Sequence, residues 1–242
     1  LIESESKYRE AYNRANLYED LFAHDINNIL QNIKSSVELS RLYINRPEKR
    51  KKIYEFFGII QEQIIRGTNL VSNVINLFKI EDNMKFPLEK VKLIDNLKKA
   101  IEFVRQSHQT KNLSIKTEIY IEDILIKANN FLLDVFENIL FNAIMYNTND
   151  LIKIKIKVYR YKKDNSYFKL EFIDNGFGIT DQRKKIIFEE NLEGKRKGGM
   201  GLGLSLVKKI LENYKGKIWV KDKIKGDYTK GSNFILLIPE FK

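Results

Sequence analysis

The sequence predicts an α plus α/β chain. A two-helix hairpin that dimerises to a four-helix bundle comes first, and an α/β sandwich with a mixed sheet and helices on one face follows. Three observations predict this. Apolar residues step by four and three through two long opening stretches, the period of helices packed along a seam. The pattern changes at Asn83-Met84-Lys85-Phe86-Pro87, which divides the chain into residues 1–83 and 84–242. Beyond it, short stretches of period two alternate with helical ones, as at Ile152-Lys153-Ile154-Lys155-Ile156-Lys157-Val158, a half-exposed strand.

Tyr8, Ala11, Ala15, Tyr18 and Phe22 lead into a seam through Ile26, Ile29, Ile33, Val37, Ser40 and Ile44, so residues 1–44 are expected as one helix. Asn45-Arg46-Pro47-Glu48 ends it, because proline disfavours helix at the residue before it. Ile53, Phe57, Ile60, Ile64, Gly67, Val71, Val74 and Phe78 carry the second helix. A lone hairpin leaves much of its seam wet, so a homodimer through residues 1–83 is expected. A strand near 88–91 and a helix over 93–109 come next, then strands at 113–119 and 123–127 and a helix over 130–146. Strands at 152–158 and 168–173, a loop-rich stretch over 175–200, a helix over 202–214 and a strand pair at 217–221 and 234–238 complete the chain.

The chain has 242 residues, 43% hydrophobic and 12% aromatic, enough to build a core in each part. It has no cysteine, which excludes disulfides and thiolate metal sites and fits a reducing, cytoplasmic compartment. No apolar run approaches the roughly 20 residues of a membrane helix. The chain begins at Leu1 rather than Met and has no signal peptide, as expected of a fragment of a longer protein. Its net charge of +11 is scattered over helices, strands and loops without a recognition helix or stacking motif, so no nucleic-acid partner is expected.

Four stretches carry chemistry. His24-Asp25 lies on the first helix with Asn28 one turn on, and the histidine falls roughly 200° from the apolar seam, facing water. Asn138 and Asn142, four apart, share a helix face where amide carbonyls can reach a cation or a phosphate-bound water, though an ordinary polar face has the same spacing. Asp174-Asn175-Gly176-Phe177-Gly178-Ile179 sets an acid at a strand end before glycines that admit a close backbone or a tight turn. Gly199-Met200-Gly201-Leu202-Gly203-Leu204 opens a helix, whose free N–H groups favour phosphate. A loop precedes it where a dinucleotide fingerprint needs a strand, and no Gly-Lys-Ser or Gly-Lys-Thr of a P-loop is present.

In this order and spacing the stretches resemble the ATP-binding domain of sensor histidine kinases, relatives of the gyrase and Hsp90-type ATPases. The segment from Asn138 to Tyr146 looks like the asparagine box, that from Asp174 to Ile179 the first glycine box, that from Gly199 to Leu204 the second, and Phe188 the phenylalanine of the F box. The hairpin with His24 is similar to the family's dimerisation and phosphotransfer domain. The resemblance implies ATP-dependent autophosphorylation of His24 and transfer to the receiver domain of a response regulator, with an upstream sensor domain outside this fragment. It implies that Asp174 accepts from the adenine amino group, Asn142 binds Mg²⁺ with Asn138 beside it, and Tyr146 lies against the adenine. Gly176, Gly178 and Ile179 would make the close turn. Gly199, Gly201, Leu202 and Gly203 would form the hinge and phosphate-facing end of a lid that contains Lys195, Arg196 and Lys197. Asp25 would fix the histidine tautomer, and Asn28 would hold the water that dephosphorylates the regulator.

Two residues depart from the family pattern. Met145 stands where a basic residue usually meets the phosphates, and Ile29 stands where proline is frequent. His108, without an acid neighbour, is expected at the surface. A catalytically weak pseudokinase scaffold and an ATP-driven conformational clamp are the rival readings. Met145 makes the first conceivable, whereas a clamp has no use for the histidine and acid on an exposed helix.

Overall fold

Unbroken helical periodicity and the absence of any early proline produce α1 (Ile2–Tyr43). Pro47 then occupies the first position of a 3₁₀ turn, Pro47–Lys49, where its missing N–H costs nothing, and the chain reverses into α2 (Arg50–Glu81). The computed structural model describes residues 2–81, 87–109, 111–121, 123–161, 166–189 and 202–241, with side chains from residue 23 onward apart from that of residue 81. These fall into a helical unit ending at Ile75 and an α/β unit of residues 76–189 and 203–241. The expected boundary at 83/84 lies outside the described residues.

Among the described side chains of α1, Asp25, Ile29, Ser36 and Ser40 are buried, while Ile26 and Ile33 are half-buried. Ile29 lies opposite Gly67 of α2, and Tyr43 stacks on Phe56 near the turn with ring centroids 6.1 Å apart. Leu30 and Val37 on α1, Ile44 just past its end, and Phe57, Ile64 and Val71 on α2 recur at every seventh position as exposed large apolar side chains. The expected seam is therefore shared between two faces, one closed within the hairpin and one left open.

The α/β unit begins with the end of α2, where Asn76 and Leu77 are buried. It continues through β1 (Glu89–Lys92), α3 (Leu93–Ser107), β2 (Leu113–Ile119), β3 (Leu125–Ala128) and α4 (Phe131–Met145). Then come β4 (Ile152–Arg160), β5 (Tyr167–Ile173), α5 (Asp181–Ile186), α6 (Leu202–Asn213), β6 (Lys217–Ile224) and β7 (Asp227–Pro239). The main sheet runs β2-β4-β5-β7-β6, with β2 and β4 parallel and the other pairs antiparallel, so it is mixed as expected. Alternation decides its faces. Ile152, Ile154, Ile156 and Val158 of β4 and Phe168, Leu170 and Phe172 of β5 are buried, while the lysines between them lie at the opposite face. Phe136 of α4 meets Phe172 of β5 at 6.0 Å between ring centroids, and the buried stripes of α3, α4 and α6 complete this core.

Four details differ from expectation. β1 and β3 form a separate antiparallel pair instead of joining the main sheet. α5 lies in the stretch expected as loop, its six residues too few to show a period. β7 begins at Asp227, because Lys225-Gly226 makes a tight hairpin turn in which Gly226 has φ +84°. His108 is buried, its Nδ1 3.1 Å from the Val104 carbonyl oxygen and its ring 5.4 Å from that of Phe141. The cap of α3 turns it inward, which its polar neighbours in sequence conceal.

Candidate nucleotide site and candidate phosphoacceptor

In the α/β unit, β5 delivers Asp174 to the end of the sheet beside β7. The Asp174 N–H donates to Ser232 O at 3.0 Å, and the side chain is buried. Its Oδ1 accepts from the backbone N–H of Gly176 at 2.8 Å and of Ser232 at 3.1 Å. Burial raises this carboxyl above the usual carboxylate range, and the two N–H groups and Lys223 oppose the rise. Both described bonds fall on Oδ1, so Oδ2 is the atom available to a donor from a ligand.

The following turn needs its glycines. A Cβ on Gly176 would overlap the Tyr146 carbonyl oxygen, and one on Gly178, at φ +69°, would overlap that of Tyr228. The close approach brings the Phe177 N–H to Tyr146 O at 3.1 Å, which joins the acid-bearing turn to the C-terminal end of α4. Ile179, half-buried, follows it. α4 presents Asp134, Asn138, Asn142 and Met145, all half-buried, along one helical face. Asn138 donates to the Asp134 carbonyl oxygen at 2.9 Å, and Asn76 at the end of α2 donates to Asp134 Oδ1, also at 2.9 Å. Asp134 is raised by burial, and beside it burial and the Asp134 charge raise Glu137 to about 7. Tyr146, capping the helix, is exposed.

Of the second glycine stretch, Leu202 is the buried first residue of α6, and Gly203 lies in its first turn. Lys195, Arg196, Lys197, Gly199 and Gly201 lie outside the described residues. Phe188 is half-buried, edge-on to Phe234 at 6.2 Å.

In the helical unit His24 is 70% exposed at its side chain, whereas the neighbouring Asp25 side chain is only 9% exposed. Asp25 Oδ1 stands 3.2 Å from His24 Nδ1, and Asp25 Oδ2 stands 4.0 Å from Arg66 of α2. Asn28 Nδ2 lies 3.4 Å from His24 Nε2 and 3.3 Å from Nδ1. With the ring proton on Nδ1, Asp25 accepts it and Nε2 keeps its lone pair, toward which the Asn28 amide can donate.

Sequence reasoning missed Arg66, Asn76, Glu137, Ser232 and the asparagines 147, 149 and 175. Arg66 meets Asp25 only through the hairpin register, and Ser232 meets Asp174 only through the pairing of β5 with β7. Asn147 and Asn149 follow a helix end, where such residues also serve plain turns.

Residues 128–242 match the model of the histidine kinase-, DNA gyrase B- and HSP90-like ATPase family. A sensor-like histidine kinase, ycf26, of Pyropia yezoensis is 25% identical over 218 residues, covering 84% of this chain and 33% of its own. The autoinducer 2 sensor kinase/phosphatase LuxQ of Vibrio vulnificus (strain CMCP6) is 26% identical over 244 residues, covering 96% of this chain and 27% of its own. The chain thus spans a third or less of these two relatives. Among solved structures, the histidine kinase ThkA in complex with the response regulator protein TrrA superposes with a TM-score of 0.66 at 22% identity, over 99% of this chain and 66% of that one, a likeness of fold.

Proposed function

We propose, for a chain that belongs to the sensor histidine kinases as a catalytic core, that ATP held by residues 84–242 phosphorylates His24 in residues 1–83 and that His24 passes the group to a response-regulator aspartate. One observation carries this reading: an exposed histidine is oriented by a buried acid and an amide, in a chain whose other unit matches an ATPase family. With Nδ1–H held by Asp25, Nε2 forms a bond to the γ-phosphorus. The bond from that phosphorus to the β,γ-bridging oxygen breaks, and ADP leaves with that oxygen.

Asp174 Oδ2 is the acceptor for the adenine amino group, Tyr146 the surface beside the ring, and Gly176, Gly178 and Ile179 the wall that lets the base approach. Asn138 and Asn142 offer amide oxygens on one face of α4, a donor set that suits Mg²⁺, which takes few protein ligands and fills its shell with water and phosphate oxygens. Bound there, the ion would neutralise triphosphate charge. Gly199, Gly201, Leu202, Gly203 and Lys197 are assigned to the phosphate-facing lid. Asn28, beside His24, is assigned to orienting the water that dephosphorylates the regulator, and LuxQ's description as a kinase/phosphatase supports that second activity. ThkA's complex with TrrA supports a receiver domain as partner.

The exposed apolar rows of α1 and α2 support a homodimer through residues 1–83. No helix among the described residues is long and apolar enough to cross a membrane. A cysteine-free sequence fits the reducing cytoplasm, the placement proposed for this segment.

The test is incubation with ATP labelled at the γ-phosphate. Acid-labile, base-stable label that chases onto a receiver domain is expected. ATP binding without label would leave a scaffold, and ATP-driven compaction without label a clamp. Asn28→Ala should keep labelling and transfer while lengthening the lifetime of the regulator phosphate. Loss of both activities together would reduce Asn28 to a support of the His24 helix.

A further inference from the structure

We propose that Asn175 is a positioning residue for nucleotide recognition, the centre of a three-asparagine knot that fixes Asp174 against the end of α4. This rests on the adenine reading of Asp174 given above. The backbone ladder between β4 and β5 ends at the pair Lys155 and Ile173, two residues short of Asn175. From there the Asn175 side chain continues it. Its Oδ1 accepts from the Lys153 N–H at 2.7 Å and from Asn147 Nδ2 at 2.8 Å, and its Nδ2 donates to Leu151 O at 3.1 Å. Asn149 closes the knot, with Nδ2 donating to the Asn175 carbonyl oxygen at 2.6 Å and to Asn147 Oδ1 at 2.9 Å. Asn147 itself is buried, and its Oδ1 also takes the Asn149 N–H at 3.1 Å.

The turn that carries Asp174 is thereby tied on both sides. β7 holds it through Ser232, and the loop between α4 and β4 holds it through the knot and the Phe177 bond to Tyr146. An amide suits position 175, because the site asks one side chain to accept twice at one atom and to donate once from another, whereas a hydroxyl would have to do all three from a single oxygen. A carboxylate cannot donate, and an alkyl group does neither. The described bonds of the three asparagine side chains run to one another and to the backbone. Their effect passes through Asp174, whose acceptor must stand within hydrogen-bond reach of the base to tell an amino group from a carbonyl.

The test is equilibrium binding of ATP and of GTP to the whole chain, wild type against Asn175→Ala, with thermal unfolding followed in parallel. ATP affinity is expected to fall about tenfold, the loss of roughly one charge-free hydrogen-bonded anchor, and the ATP-to-GTP preference is expected to shrink with it. If Asn175 only stabilises the fold, melting drops while both affinities and their ratio stay at wild-type values wherever the variant is folded, and the proposal is overturned. Should Asn175→Ala fail to fold, the exposed Asn149→Ala decides. A smaller loss in the same direction supports the knot, and an unchanged ratio overturns it. Asp174→Asn run alongside separates the two levels. Unchanged ATP affinity there means that the adenine reading itself has failed. Weakened binding there, with both asparagine variants at wild-type affinity, removes the positioning role alone.

Discussion

Glu137 shows how a residue can carry a cost that its sequence neighbourhood hides. Burial, with the nearby Asp134 charge added, raises its carboxyl from 4.5 to about 7. Because the folded value lies above the unfolded one, the protonated form is favoured by folding. The associated stability is complete below 4.5 and is lost as pH rises through about 7. Glu137→Gln removes that loss. The variant should melt like the wild type in acid and above it at pH 8, and thermal unfolding across that range checks it. Equal melting at pH 8 would mean that Glu137 is better solvated than its position on α4 implies. At this scale the sequence made Asp174 legible, because an acid before two glycines at a strand end is a local pattern. The knot around Asn175 was not legible, since Asn147, Asn149 and Lys153 reach it only once α4 and β4 are folded against the turn.

Among the elements, α2 is the one whose local sequence works against its own conformation. Gly58 and Gly67 both lie within it, and glycine in a helix interior costs about 0.8–1 kcal/mol relative to alanine. A Cβ on Gly58 would meet nothing within 4 Å, whereas one on Gly67 would touch Ile29. Gly58→Ala should therefore stabilise the helical unit by about 0.5–1 kcal/mol, read from denaturant unfolding monitored at 222 nm. A loss of stability would show that another chain approaches Gly58. The long helices and the alternating strands β4 and β5 were legible because their periods repeat several times. The short α5 offers too few residues for a period, and the pairing of β1 with β3 depends on neighbours distant in sequence.

For the molecule as a whole, the exposed rows through Leu30, Val37 and Ile44 and through Phe57, Ile64 and Val71 are too regular for a free surface. Ile64→Glu should convert a dimer into a monomer in sedimentation velocity, because a charge at a closed apolar seam is left without a partner. A wild-type chain that is already monomeric at micromolar concentration would contradict the bundle. The proposed function divides labour between the two units, with ATP bound by one and its phosphoryl group received by the other. The most direct measurement is γ-phosphate labelling of His24→Ala beside the wild type, with ATP affinity determined on both proteins. Wild-type ATP affinity and no acid-labile label are expected of the variant. Label that persists on His24→Ala would contradict that division.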